Sequence, residues 1–459
     1  MSVFSLSNLK KTWYYLQKNG IRNAVWAVLE RIGQEQEVYT WQEPDEKTLS
    51  FQREHSASLR ISIVVPAYRT KKEHLEAMLN SVSRQSYPHW ELIVADAGGT
   101  AESVQAWAKK NGICLREAAD ASNLAEWKDR SIVLCTLSEN KGISANTNAG
   151  IELAAGDAVG LLDHDDLLTA NALWEMADCL EKEKKRGKQK LVLFSDEDKC
   201  DKAASRFYEP NFKPDFDGEL LLTNNYICHF TVIETAFLKE LKLRSGFDGA
   251  QDYDLMLRAY AAGGQFVHVP KVLYHWRCHE ASTASNPQSK RYAYEAGQRA
   301  LEDYCLRKGW KATVSGLKHL GFYREDYEDS VFCQRPEIGI WAKPLPGGRD
   351  VFGIRHPKGF LVSGLYENDG SMRYAGLRKG YSGPMHRAAL QQSAPAADLR
   401  SMEVCSALKE RYAQTIAELK EACQGLPTAA QETKILQKSM EFCKEATAAG
   451  YGILWDPQA

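Results

Sequence analysis

The sequence contains no apolar run that approaches the roughly 18 residues a helix needs to span a bilayer. Its N-terminus lacks the charged region, apolar core and small-residue cleavage site of a secretory leader. No Cys-x-x-Cys pair occurs, and the 11 cysteines are odd in number and scattered. That usage favours reduced thiols in a cytoplasm over a disulfide framework or a zinc site. Charge of one sign is missing too. With 58 Lys and Arg against 60 Asp and Glu, the formal net charge is −2, so no basic field points to nucleic acid as a partner. Two glycine loops are also absent. There is no Gly-x-x-x-x-Gly-Lys followed by Ser or Thr. The place of a dinucleotide-binding Gly-x-Gly-x-x-Gly turn is taken by Pro66-Ala-Tyr-Arg-Thr-Lys71. Any nucleotide must therefore be held by something other than a glycine cradle.

What is present is a chain of 459 residues with 44% hydrophobic and 26% charged residues. That is the composition of a globular protein with more than one domain. From Arg60 onward, short β-branched runs alternate with helical patterns. Strands are expected at 61–65, 91–95, 131–135 and 157–162, and helices at 72–85, 100–111 and 143–155. Such alternation predicts a mainly parallel, doubly wound α/β sheet. In such sheets ligands bind beyond the carboxyl ends of the strands. Tyr68, Asp96 and Asp163 all fall there.

The most pointed feature is Asp163-His-Asp-Asp166, where the apolar run from Ala158 stops abruptly in three carboxylates. Hard divalent cations take oxygen ligands and share them with substrate phosphates. The alternative is that Asp165 or Asp166 caps a helix expected from Thr169 to about Lys184. Farther on, Lys190 to Ser195 reads as a strand. So do 226–233 and 265–276, around a helix at 252–262, and Pro287 to Lys308 reads as a long helix.

Residues 1–58 form a leader. Its segment Leu9 to Ile32 is amphipathic, with Trp13 and Trp26 among basic residues. Such a helix either lies on an anionic membrane surface or packs on the next domain. The first option implies peripheral contact with the inner face of the cell membrane. Residues 59–315 are read as a catalytic domain and 316–459 as an α+β accessory domain. The accessory part is Gly-rich from 337 to 378, helical from 401 to 448, and ends in a strand-like Gly450 to Trp455.

Several strings occur in a telling order. They are Val64-Val-Pro-Ala-Tyr68, Gln85-Ser-Tyr-Pro-His-Trp-Glu-Leu-Ile-Val-Ala-Asp96, Asn140-Lys-Gly-Ile-Ser-Ala-Asn-Thr-Asn-Ala-Gly150, Leu162-Asp-His-Asp-Asp166 and Gln251-Asp-Tyr-Asp-Leu255. This pattern resembles the inverting family-2 glycosyltransferases of the GT-A fold. Ser195-Asp-Glu-Asp-Lys199, Phe247-Asp-Gly-Ala-Gln251 and Val272-Leu-Tyr-His-Trp-Arg277 resemble the branch that builds bacterial surface polysaccharides, the rhamnan or O-antigen type. The resemblance covers about residues 60–315. In the last third, Glu337 to Lys343, Tyr374-Ala-Gly and Gly450 to Pro457 are similar to scraps of a second transferase domain without its donor half.

The resemblance implies roles for individual residues. Pro66, Tyr68 and Asp96 frame the base and ribose of a nucleotide sugar, although Ala95 replaces the first acidic residue of the family's common pattern. Lys141, Asn148, Asp163 and His164 lie along the donor. Asp165 and His279 hold a divalent metal, Mn²⁺ or Mg²⁺. Asp252 is the catalytic base; its alternative reading is the N-cap of the following helix. Acceptor-side or secondary candidates are Asp196, Glu197, Asp198, Gln251, His275, Trp276 and Arg277. The expected reaction moves a hexose or deoxyhexose from a UDP- or dTDP-sugar to a hydroxyl of a growing polysaccharide or lipid-linked glycan. Two other readings compete. One is a glycan-binding protein on the same fold without turnover. The other is a nucleotidyltransferase, which would need a basic glycine-rich loop near the first strand that is not here.

Overall fold

The computed structural model describes residues 39–119, 126–278, 291–316, 321–342, 364–365, 402–422 and 429–455. The expected helix at Leu9 to Ile32 and the metal candidate His279 lie outside them.

A ten-stranded mixed sheet organises the chain. Its strands are β1 (Ile61–Ala67), β2 (Trp90–Asp96), β3 (Cys114–Glu117), β4 (Ser131–Thr136), β5 (Ala158–Leu161), β6 (Leu167–Leu168), β7 (Leu191–Cys200), β8 (Phe207–Asn211), β9 (Thr231–Glu234) and β10 (Gln265–Arg277). The spatial order is β3-β4-β2-β1-β5-β9-β7-β10-β6, with β8 paired to β7. The first five positions are parallel, β9 runs against both neighbours, and β7 and β10 are again parallel.

The strands are apolar on both faces because helices cover both. Along β1, Ile63 and Val65 enter one core while Val64 enters the other. Leu92 and Val94 of β2 divide from Ile93 in the same way. This period of two, with both faces buried, explains the near-continuous hydrophobic runs. The first core is closed by α2 (Lys72–Ser83), α3 (Ala101–Asn111) and α5 (Ala172–Lys185), and α1 (Glu46–Glu54) is tied to α5 by Gln52, whose amide donates to Glu175 at 3.3 Å. The second is closed by α4 (Ile143–Leu153), α6 (Gly218–Thr223), α7 (Thr235–Leu241), α8 (Gln251–Ala261) and α9 (Arg291–Lys308). Helix α4 lies close on the sheet: a Cβ at Gly150 would come within 2.7 Å of Val64 Cγ1.

Register aligns the strand ends. Ala67 pairs with Asp96, Asp96 with Thr136, and Val64 with Leu161. The chain winds one way from β1 to β2 and the other way to β5. The crevice above β1 is therefore a topological switch point, where an open α/β sheet binds its ligand.

Beyond α9, β11 (Ala312–Gly316) and β12 (Tyr323–Tyr327) form an antiparallel ribbon. A separate four-stranded sheet follows, β14 (Gly364–Leu365), β16 (Gly452–Trp455), β13 (Ile338–Ala342) and β15 (Met402–Val404). Helices α10 (Ser406–Arg411), α11 (Ala413–Ala422) and α12 (Ala429–Ala448) accompany it, and Ile340, Val404, Leu408, Phe442 and Ile453 form its small core. Its described elements are α+β, and Gly452–Trp455 forms a strand where the last one is expected. The stretch read as helical from 401 opens instead with β15, whose Met402–Val404 pairs with β13. Arg335 joins this part of the chain to α6 through a buried two-pronged ion pair with Glu219, at 2.6 and 2.7 Å.

Candidate active site

The donor side is built on β1, β2 and β5. Pro66 ends β1 half-buried. Tyr68, just beyond, keeps 39% of its surface open, with the Arg69 guanidinium 5.0 Å from its ring centre. Its ring leans on Gly98, where an added Cβ would lie 3.6 Å from Tyr68 Cε2. An exposed aromatic on a rigid strand end is suited to stacking on a nucleobase. Asp96 occupies the neighbouring strand end, but both carboxylate oxygens face the backbone. They accept from the N–H groups of Gly98 at 3.0 Å, Thr100 at 3.2 Å and Ala101 at 2.8 Å. Asp96 therefore shapes the turn and caps the start of α3.

Two other donor candidates are also engaged locally. Asn148 donates to Leu243 O at 2.8 Å and accepts from Leu243 N at 2.9 Å, which stitches α4 to the loop after α7. Lys141 is exposed and pairs with Glu139 at 3.1 Å. Between them, Gly142 starts α4 with φ 95°, a conformation natural to glycine. Asp248 packs against it and accepts from Ser144 N at 3.3 Å.

Asp163, His164 and Asp165 sit half-exposed at the end of β5, while Asp166 is buried. The chain turns back into β6 before α5 begins, and the N-cap of α5 is Asn171. Neither Asp165 nor Asp166 caps that helix. Asp166 is structural. It accepts from the Tyr274 hydroxyl at 2.5 Å and from Arg277 N at 2.7 Å. Burial, then repulsion from Asp165 and Asp163, pushes its carboxyl well above the usual range. Arg277 is buried and straps the acidic turn from below. Its Nε donates to Asp165 O and its Nη1 to Lys202 O, both at 2.6 Å. Its work is thus to hold the turn that carries Asp163 and Asp165.

Asp163 keeps 46% of its side chain open to solvent. Packing around the remainder raises its carboxyl above the ordinary value. Asp165 and Asp252 add to the rise and His229 opposes it. Asp252 is the second residue of α8, whose N-cap is Ala250, so it is not the N-cap itself. Its Oδ2 accepts from Asn225 Nδ2 at 2.8 Å. Asp254 is two residues on, about 200° around the helix, and points inward to Arg244 and Arg258. This division of labour leaves Asp252 turned to Asn225. Gln251 accepts from Gly249 N at 2.8 Å and closes the turn before α8.

The acidic run on β7 alternates between faces. Asp196 accepts from His268 Nε2 at 2.7 Å and Lys213 N at 2.8 Å. Asp198 accepts from Tyr39 at 2.8 Å and pairs with His275 Nδ1 at 2.5 Å. Asp196, Asp198 and His275 are buried and engaged inside the protein. Glu197 points the other way, alongside its cross-strand neighbour Tyr274. It meets His229 Nδ1 at 3.1 Å and Asn211 at 3.2 Å. Burial opposes its charge, but Lys213 and His229 hold it below the usual range. Trp276, half-buried, lies on this same face, 5.8 Å from His229 between ring centres.

His229 and Asn225 are the residues that sequence reasoning missed. Burial works against a charged His229, yet Cys228 and Glu197 raise it well above the usual histidine range. Burial pushes the Cys228 thiol up, so it is uncharged at neutral pH. The Glu197 carboxylate is therefore the partner that holds the proton. The only sequence signal was a histidine and two amides in the Asn224 to His229 segment, without spacing that marks a ligand set.

Among the described residues, no three His, Cys, Asp or Glu side chains form a ready metal cage. Two adjacent carboxylates still fit a Mg²⁺-like ion, which binds through one or two carboxylates and completes its shell with water and substrate phosphates. Among the described residues, the buried His164 Nδ1 has no hydrogen-bond partner.

Residues 62–241 match the family described as Glycosyl transferase family 2. The O-antigen biosynthesis protein RfbC of Myxococcus xanthus is 34% identical over 256 residues, 56% of this chain and 19% of that protein. The amylovoran biosynthesis glycosyltransferase AmsB of Erwinia amylovora is 28% identical over 232 residues, 47% of this chain and 70% of that protein. The chain spans only 26% and 19% of the curated relatives that match it at 36% and 34% identity. A solved structure of S. aureus TarS with UDP-GlcNAc aligns with a TM-score of 0.41 at 19% identity, over 55% of this chain and 66% of that one. Over 62–241, less than half of the chain, the match to Glycosyl transferase family 2 coincides with the ordered motifs, the mixed sheet and the acidic strand end.

Proposed function

We propose that this protein is a metal-dependent, inverting glycosyltransferase of surface-polysaccharide assembly. It moves a hexose or deoxyhexose from a UDP- or dTDP-sugar to a hydroxyl of a growing glycan or lipid-linked acceptor. The observation that carries the reading is that the segment from Asn225 to His229 links Asp252 of α8 with the acidic end of β5: Asn225 Nδ2 lies 2.8 Å from Asp252 Oδ2, and His229 Nε2 lies 3.9 Å from Asp163 Oδ2. The names of RfbC and AmsB support the polysaccharide context.

Tyr68 offers its face to the base, and Asp163 and Asp165 lie toward the diphosphate. These two carboxylates would hold Mn²⁺ or Mg²⁺, which supplies charge neutralisation for the leaving diphosphate. Asp252 takes the proton of the acceptor hydroxyl. The acceptor oxygen bonds to the anomeric carbon as the carbon–oxygen bond to the diphosphate breaks, and the nucleoside diphosphate departs. An acceptor hydroxyl is a weak nucleophile without such a base. A single displacement inverts the anomeric centre and needs no second carboxylate as nucleophile.

Water is expected to replace the acceptor at a low rate. A panel of UDP- and dTDP-sugars with Mn²⁺ or Mg²⁺ should include a donor that slowly releases nucleoside diphosphate in the absence of glycan. Tight glycan binding with neither donor binding nor release would instead identify a binding protein.

A further inference from the structure

His229 is placed with unusual care. It precedes β9 with φ 55°, in the left-handed region that a histidine adopts only when its surroundings demand it. The buried Lys213 ammonium supplies part of that demand. It donates to Ile227 O at 3.1 Å, to Cys228 O at 2.9 Å and to His229 O. The ring stacks on Tyr274, with centres 4.8 Å apart and planes 17° apart. Glu197 Oε2 sits 3.1 Å from Nδ1, and Nε2 is 3.9 Å from Asp163 Oδ2.

Backbone, ring plane and one nitrogen are therefore fixed by groups outside the cleft, and the other nitrogen is aimed at Asp163. Glu197 as acceptor makes Nδ1 the donor between them. The arrangement matches outer carboxylates that orient an imidazole so that the imidazole can act on the next group.

We propose that His229 is a positioning residue of the transfer centre. Anchored through Nδ1 on Glu197, it sets the Asp163 carboxylate through Nε2 for the donor. The proposal rests on the donor role assigned to Asp163 above.

Two substitutions separate its two nitrogens. Asparagine reaches where Nδ1 is, and glutamine where Nε2 is. His229→Asn should weaken binding of UDP or dTDP with Mg²⁺ by about ten-fold and raise donor KM more than it lowers kcat. His229→Gln should recover most of that affinity. The opposite ranking would show that the contact with Glu197 is what matters. Equal losses would assign the residue to ring stacking, and no loss would remove it from the site. Each of these outcomes overturns the proposal. If the parent protein binds neither nucleotide with Mg²⁺, the functional reading fails on its own. The link is then read in the ligand-free protein from thermal unfolding of Asp163→Asn, His229→Asn and the pair. The double variant should shift the midpoint by less than the sum of the two, and strict additivity would contradict the contact.

Discussion

Asp252→Asn is expected to lower glycosyl transfer by about 10²–10⁴-fold, the usual worth of a positioned general base. The substitution keeps the size and planarity of the side chain. An amide oxygen can still accept from Asn225 Nδ2, which holds Asp252 at 2.8 Å. What disappears is the ability to take a proton. The negative charge in the first turn of α8 also disappears, but its stabilising interaction with the helix is worth only about 0.3–1 kcal/mol. That is too little to unfold a helix held inward by Asp254 between Arg244 and Arg258. Nucleotide affinity and unfolding temperature should therefore stay near the parent values while turnover collapses. Unchanged turnover would make Asp252 a helix-terminal residue and nothing more.

Asp165→Ala should remove most activity, on the order of 10²–10³-fold, if a cation neutralises the departing diphosphate. EDTA should do the same to the parent protein, and added Mn²⁺ or Mg²⁺ should restore it. Arg277 grips the Asp165 main-chain oxygen, and that bond survives loss of the carboxylate. Asp166→Ala is the contrasting control. It deletes the acceptor of Tyr274 and of Arg277 N inside the protein, so it should lower stability as well as activity. Full activity in EDTA would rule out the metal.

The parts of this site that were legible in the sequence share one physical origin. Strands β1, β2, β4 and β5 are short, apolar and bracketed by turns, so periodicity finds them, and Tyr68, Asp96 and Asp163 follow at their ends. Strand β3, Cys-Leu-Arg-Glu, was not found. Arg116 is buried there only because Glu91 of β2, far away in sequence, pairs with it at 2.8 Å. Strand β7 was expected to stop at Ser195. It runs on to Cys200 because Lys213, His229, His268 and His275 arrive from elsewhere to compensate three carboxylates. Those pairings are set by β10 and by the segments that bring Lys213 and His229 beside β7, and they leave no local mark. The same reasoning explains Asn148 and Asp96. A motif can specify a polar residue, but only the fold shows that its atoms face a backbone. His229 was missed because its importance lies in geometry, between Glu197 and Asp163, and not in any spacing.

The central claim, a single inverting displacement driven by Asp252, is tested most directly by the product. A screen of nucleotide sugars with metal and glycan acceptors, followed by mass analysis and the anomeric proton coupling of the new linkage, reads transfer and stereochemistry together. The account predicts one added sugar whose anomeric configuration is opposite to that of the donor, formed with Mn²⁺ or Mg²⁺ and not in EDTA. A product that retains the donor configuration would contradict it.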